Sequence, residues 1–141
     1  MRKVETPEGS IFSRLPAPPA AETLGWELIR ENPAEGTIEI AFHPGQAFLN
    51  PHGTVQGGFV AAMLDDTMGP ALVSKTDGGC IPVSLNLAVS FLRPVRPGRV
   101  IGKGRVVSQG RTVAFLEAEL FDEEGELLAR ATSTARIIET E

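Results

Sequence analysis

The sequence predicts an α+β fold in which an antiparallel sheet wraps around one long helix. Three features carry this prediction: a single long apolar helical run from Gln56 to about Lys75, a short hairpin before it, and four extended segments after it. One greasy helix among many strands fits the layer rule, because an element apolar on all sides must be covered, and here a curved sheet is the only available cover.

The first 22 residues contain Pro7, Gly9, Pro16, Pro18 and Pro19 with little periodicity and read as an arm. Residues 23–141 then form a single domain, a length that suffices for one hydrophobic core. Leu24 to Arg30 and Gly36 to Phe42, separated by Glu31-Asn32-Pro33-Ala34-Glu35, predict a β-hairpin. The stretch from His43 to Val55 holds two prolines and two glycines and predicts a loop ending at the helix. Within the helix, Phe59, Val60, Ala61, Ala62, Met63, Leu64, Met68, Ala71, Leu72 and Val73 surround the axis, which predicts a buried helix. Ile81 to Leu92, Val100 to Gln109, Thr112 to Phe121 and Leu127 to Ile138 predict a four-strand meander. The breaks are Arg93-Pro94-Val95-Arg96-Pro97-Gly98, Gly110-Arg111 and Asp122-Glu123-Glu124-Gly125. In the first of these strands Val83, Leu85, Leu87, Val89 and Phe91 alternate with Ser84, Asn86, Ala88 and Ser90, so the apolar set is expected on one core-facing side.

A formal charge of −5 over 141 residues disfavours nucleic acid as a partner. No apolar run reaches the roughly 20 residues of a membrane span, and the opening residues lack a signal peptide's apolar segment, so a cytoplasmic protein is expected. The single cysteine, Cys80, excludes an internal disulfide framework and reads as a small core residue. No G-x-S-x-G nucleophile elbow is present, and Gly102-Lys103-Gly104 lies inside a strand pattern with no helix after it, unlike a phosphate loop. His43 and His52 are the only histidines and lack metal-ligand spacing, so no metal is expected.

The stretch Asn50-Pro51-His52-Gly53-Thr54-Val55-Gln56-Gly57-Gly58, continuing through Phe59-Val60-Ala61-Ala62-Met63-Leu64-Asp65, resembles the hotdog-fold acyl-CoA thioesterases related to the phenylacetate-degradation (PaaI-like) thioesterase. Pro82-Val83-Ser84-Leu85-Asn86-Leu87 and Gln109-Gly110-Arg111-Thr112-Val113-Ala114-Phe115 are also similar. The resemblance runs from about Leu24 to the end. It implies the hotdog fold and hydrolysis of an acyl- or aryl-CoA to the free acid and CoA. Asp65 would be the catalytic carboxylate, Gly57 the oxyanion donor, Asn50 a substrate-loop amide, and Ser84 a hydroxyl holding the nucleophilic water. It implies no cofactor, since CoA is part of the substrate. One position departs: the family's histidine before the glycine pair is Gln56 here, whose amide can hydrogen-bond to a thioester but does not titrate near neutral pH.

The residue types suit that chemistry independently. Thioester hydrolysis develops negative charge on the carbonyl oxygen, and free N–H groups at a helix N-terminus stabilise such charge. Gly57 and Gly58 sit there and let a substrate approach the backbone, although a glycine pair also serves close packing of a helix on a strand. Asp65 lies in an apolar helix, where a carboxylate is costly unless solvated, paired or functional, and Asp66 shares that anomaly. As a carboxylate, Asp65 could act as general base on water or attack the carbonyl directly. Arg93, Arg96, Arg99, Lys103, Arg105 and Arg111 concentrate positive charge in an acidic chain. Arg93 and Arg111 are the candidates for CoA phosphates.

Eight residues between Gly57 and Asp65 span roughly 12 Å along a helix, too far for one helix to bring both to one carbonyl. A two-fold copy would place Gly57 and Asn50 of one subunit opposite Asp65 and Ser84 of another, which is also the arrangement the resemblance implies. A homodimer, paired further into a homotetramer, is expected. The competing reading is a catalytically silent hotdog domain that binds acyl-CoA as sensor or carrier, because fold alone does not establish activity.

Overall fold

The structure, a computed structural model, describes residues 9 to 140. The first eight residues of the expected arm lie outside this range. Besides single 3-10 turns at Ile11–Ser13 and Gln46–Phe48, two α-helices and six strands follow in chain order: α1 (Pro19–Leu24), β1 (Glu27–Asn32), β2 (Thr37–Phe42), α2 (Gly57–Lys75), β3 (Cys80–Phe91), β4 (Val100–Gln109), β5 (Val113–Phe121) and β6 (Leu127–Glu139). The hotdog expectation holds: an antiparallel six-stranded sheet carries one long helix. Among the described residues no helix is long and apolar enough to cross a membrane.

α1 is not among the elements the sequence predicts. Its signals are a proline at the first helical position and Gly25 in the left-handed region (φ 72°) just past the end, whose N–H bonds back to the Ala21 and Glu22 carbonyls. Six residues are too few for periodicity to show. Leu24 therefore closes this helix instead of opening a strand, and the hairpin begins at Glu27.

The sheet order is β1-β2-β4-β5-β6-β3. The meander is therefore β4-β5-β6 alone, which corrects the four-strand reading. β2 and β5 occupy both edges of β4, so β3 finds its only partner at the free edge of β6. The Leu92 and Arg93 N–H groups both donate to the Leu128 carbonyl, holding the chain as it leaves β3.

α2 buries Val60, Met63, Leu64, Thr67, Met68, Ala71 and Leu72 against the sheet. Gly104 admits the helix closely, since a Cβ there would lie 2.9 Å from the Thr67 carbonyl oxygen, and a Cβ at Gly102 would overlap the Thr67 hydroxyl. The opposite side of α2, including Ala61, Ala62, Asp65, Asp66, Gly69 and Val73, is only half-buried. A helix apolar all round is expected to be buried all round, but a one-layer sheet covers a single side of it. On the outer face of the sheet, Arg30, Glu39, Lys103, Glu119 and Arg130 lie in register across five strands with alternating charge. Glu39 pairs with both Arg30 (2.5 Å) and Lys103 (3.4 Å).

β3 departs most from expectation. Its register with β6 slips at Leu85, between Ser84 and Asn86, and a slip of one residue exchanges the faces. Val83 pairs with exposed Arg136, whereas Leu87, Val89 and Phe91 pair with buried Ser133, Ala131 and Ala129. The alternating apolar residues thus do not share one face, and most are not in the core: Leu85 is 61% and Phe91 57% exposed. This edge strand presents an apolar surface that the chain itself does not cover.

Candidate active site

α2 starts without a side-chain cap. Gln56 occupies the cap position, makes no capping hydrogen bond, and is tied by its own N–H to the Phe48 carbonyl at 2.8 Å. Among the described residues the Gly57 and Gly58 N–H groups have no acceptor, the ordinary state of a helix start that no Ser, Thr, Asp or Asn caps. A Cβ at Gly57 would lie 3.3 Å from the Phe91 ring, while a Cβ at Gly58 would meet nothing within 4 Å. The two glycines therefore divide the alternatives raised by their sequence: Gly57 admits an aromatic neighbour, and Gly58 leaves the backbone open.

Two turns along the same helix, Asp65 accepts a hydrogen bond from the Ser84 hydroxyl of β3 at 3.0 Å. Asp65 is half-buried and Ser84 is exposed, so the pair lies at the surface of a single chain. Asp66 points elsewhere. Its Oδ2 is buried and has no hydrogen-bond partner, and its carboxyl is pushed up from 3.8 to about 7, chiefly by burial and secondarily by the neighbouring Asp65 charge.

The main-chain carbonyl of Asp66 reveals a feature not anticipated from sequence. Pro70, four residues on, has no N–H to give it, and the Trp26 indole N–H supplies the bond instead at 3.0 Å. Trp26 also packs its ring against Phe12 with centroids 5.2 Å apart. A proline inside an apolar helical run is the available signal, because it always leaves the i−4 carbonyl free.

Asn50 organises its own loop. Its Oδ1 accepts from the His52 and Thr54 backbone N–H groups at 2.9 and 3.2 Å, and its Nδ2 donates to the Thr54 hydroxyl at 2.9 Å. One Nδ2–H remains free of these bonds, so the amide has a single donor left to offer.

The arginines do not form one patch. Arg93 follows the end of β3 and lies 3.4 Å from Glu126, while Arg111 sits in the β4–β5 turn, where the neighbouring residue Thr112 bonds through its carbonyl to Ile137. Antiparallel pairing sets these two positions at opposite ends of β3 and β6. Lys103 pairs with Glu39 and Arg105 with Glu117 on the outer face. No cluster of three or more His, Cys, Asp or Glu side chains suited to a metal occurs among the described residues.

A long helix laid on an antiparallel sheet, with an uncapped Gly-Gly start and a carboxylate two turns later, is a hotdog architecture, and the chain belongs to the thioesterase superfamily, whose family model matches residues 52–129. These are enzymes of thioester hydrolysis. A proposed esterase of Deinococcus radiodurans is 32% identical over 133 residues, 86% of this chain and 87% of that protein. A solved structure of a proposed thioesterase from Ralstonia eutropha JMP134, described as phenylacetic acid degradation-related, superposes with a TM-score of 0.84. It is 36% identical over 89% of this chain and 95% of its own. A thioesterase-like protein of Streptococcus pneumoniae TIGR4, solved with coenzyme A, shares the fold at a TM-score of 0.74 and 22% identity, covering 82% of this chain and 88% of its own. The resemblance read from residues 50–65 is borne out at the level of family and fold.

Proposed function

We propose that the chain hydrolyses acyl-CoA thioesters at a site completed by a second copy of itself. The carrying observation is the separation of two half-sites on one helix: free N–H groups at Gly57 and Gly58, and the Asp65–Ser84 pair about 12 Å further along. Neither half suffices. The N–H groups would stabilise the oxyanion but supply no base, and the carboxylate would activate water but stabilise no oxyanion. The uncovered apolar edge of β3 and the half-buried side of α2 are the surfaces through which a two-fold partner would close both sites at once.

In this reading Asp65 removes a proton from a water that Ser84 helps to hold. The water oxygen attacks the carbonyl carbon, the Gly57 N–H of the opposite subunit steadies the oxyanion, and the C–S bond breaks as the departing thiolate takes that proton from Asp65, releasing CoA thiol and the free acid. Direct attack by the Asp65 carboxylate, with water opening the resulting anhydride, uses the same geometry. The remaining Nδ2–H of Asn50 and the Gln56 amide are the side-chain donors available to the carbonyl. Arg93 of one subunit and Arg111 of the other would be brought near each other by antiparallel pairing of two β3 strands, and could share the CoA phosphates. The exposed Val107 and Phe115 provide a further apolar surface for pairing dimers into a tetramer. No cofactor is required by these steps.

The test is kinetic. Asp65→Asn should lower kcat roughly 100-fold or more while KM changes only a few-fold, because proton transfer needs the charge and binding does not. Thiol release from a panel of acyl-CoAs by the unaltered protein separates this reading from a silent binding domain. Turnover unaffected by Asp65→Asn but abolished by Asp66→Asn would reassign the base.

A further inference from the structure

Pro70 sits inside α2, one helical turn past the Asp65–Asp66 pair. An interior proline withholds the N–H that the carbonyl four residues earlier would receive, and its ring crowds that carbonyl. Helices bend at such points. Here the freed oxygen belongs to Asp66, and the Trp26 indole N–H reaches it at 3.0 Å in a part-buried setting. A regular residue at position 70 would leave this oxygen to the helix itself. Proline instead hands it to a side chain 40 residues away in the sequence.

Trp26 is well placed to hold it, because contacts outside α2 fix the indole. Its backbone N–H donates to the Ala21 carbonyl at 2.9 Å, directly after the left-handed Gly25 that ends α1. The His43 N–H donates to the Leu24 carbonyl at 3.0 Å and ties that cap to the end of β2, while the ring packs on Phe12. The helical turn it grips is held on its other sides as well. Thr67, next to Asp66, is fully buried, donates to the Met63 carbonyl at 2.8 Å and is pressed upon by the sheet at Gly102 and Gly104. Gly69 packs on β3 where a Cβ would lie 3.4 Å from Pro82, two residues before Ser84. Of all these contacts, the Trp26 bond alone takes up the oxygen that the helix leaves unpaired.

We propose that Trp26 is a positioning residue for hydrolysis. By holding the Asp66 carbonyl it keeps the turn before Pro70 from opening, and so aims the Asp65 carboxylate at Ser84 and at the reacting carbonyl. The inference rests on Asp65 being the catalytic carboxylate. Trp26 acts through the main chain adjoining Asp65 and touches no reacting atom itself. The geometry it protects has little slack: the Asp65–Ser84 bond is 3.0 Å long, and a displacement of about 1 Å at reacting groups can cost up to about 100-fold in rate.

Trp26→Phe keeps an aromatic ring and removes the donor. Thiol release from phenylacetyl-CoA and hexanoyl-CoA would be followed with the intact protein. Trp26→Phe should lower kcat about tenfold and leave KM within about twofold, the split expected when a reacting group is misaimed and binding is intact. Adding Pro70→Ala gives the Asp66 carbonyl a donor inside the helix, and the double variant should recover kcat to within about threefold of the unaltered protein. A loss due to packing alone would not recover, since alanine replaces no part of the indole. Phe12→Leu loosens the ring but spares the donor, so it should lower Tm and leave kcat unchanged. Should Trp26→Phe fail to fold, benzothienylalanine in place of Trp26, with sulfur where the N–H stood, gives the same comparison with and without Pro70→Ala. An unchanged kcat without the donor, a loss carried by KM, or a kcat that Pro70→Ala does not restore would each overturn the proposal. If the unaltered protein releases no thiol, or Asp65→Asn retains turnover, the catalytic reading of Asp65 fails and the positioning role falls with it. An inactive Asp65→Asn beside a fully active Trp26→Phe would overturn the positioning role alone.

Discussion

Replacing Asp66 by asparagine should make the protein's stability less dependent on pH. The carboxyl ionises at 3.8 when solvated and at about 7 when folded. Below pH 3.8 it is neutral in both states and costs nothing. As pH rises from there towards 7 the unfolded chain gives up the proton first, so stability is lost progressively, and above 7 the loss levels off. Linkage with these two values gives a penalty of roughly 1.7 kcal/mol at pH 5 and about 4 kcal/mol at pH 8. Because part of the side chain reaches water, about half of the difference is the realistic expectation, or ~1 kcal/mol between the two pH values. An asparagine side chain does not titrate, so Asp66→Asn should gain on the unaltered protein by about that amount between pH 5 and pH 8, a widening of roughly 3–6 °C in Tm for a domain of this size. Thermal and urea denaturation at pH 5, 6, 7 and 8 would measure the gap. A constant difference across that range would show that burial does not hold the Asp66 proton.

Leu85→Asp, on the exposed edge of β3, should convert the assembly to monomers by light scattering and remove thioesterase activity, whereas retained activity in a monomer would mean that each chain carries a whole site. Arg111→Ala should raise KM for acyl-CoA severalfold at low salt and less at high salt, with little effect on a truncated thioester lacking the nucleotide. Gly104→Ala should cost about 1–3 kcal/mol in urea denaturation, since its methyl group would press on the Thr67 carbonyl.

Strand and helix identities were legible because each long element carries its own period or its own break: β4, β5 and β6 begin and end within a residue of where the sequence places them. Pairing was less legible. Nothing local in Ile81 to Leu92 says that its partner is β6, since that choice depends on β2 having taken the edge of β4. The slip at Leu85 was hidden for a related reason: alternation of side chains looks continuous in sequence even where one residue drops out of the ladder. At the site, Asp65 and Ser84 could be named from a resemblance and meet at 3.0 Å, whereas Arg93 and Arg111, close in sequence, lie at opposite ends of β3 and β6 within one chain, because antiparallel strands carry such neighbours apart. The partnership of Pro70 with Trp26 joins residues 44 positions apart through a main-chain carbonyl, which no side-chain pattern records.

That partnership also gives the protein a built-in optical probe. Trp26 is the sole tryptophan and the chain has no tyrosine, so its near-ultraviolet emission comes from one indole without labelling. The indole N–H is held by the carbonyl of Asp66, and the ring packs on Phe12 at the wall of a cavity that Asp66 also lines. Ionisation of the acid, arrival of a ligand and release of the arm each alter the polarity or quenching around that ring. A single emission titration can therefore follow three events that would otherwise need separate experiments, and a signal that ignores both pH and ligand would place the indole away from this joint.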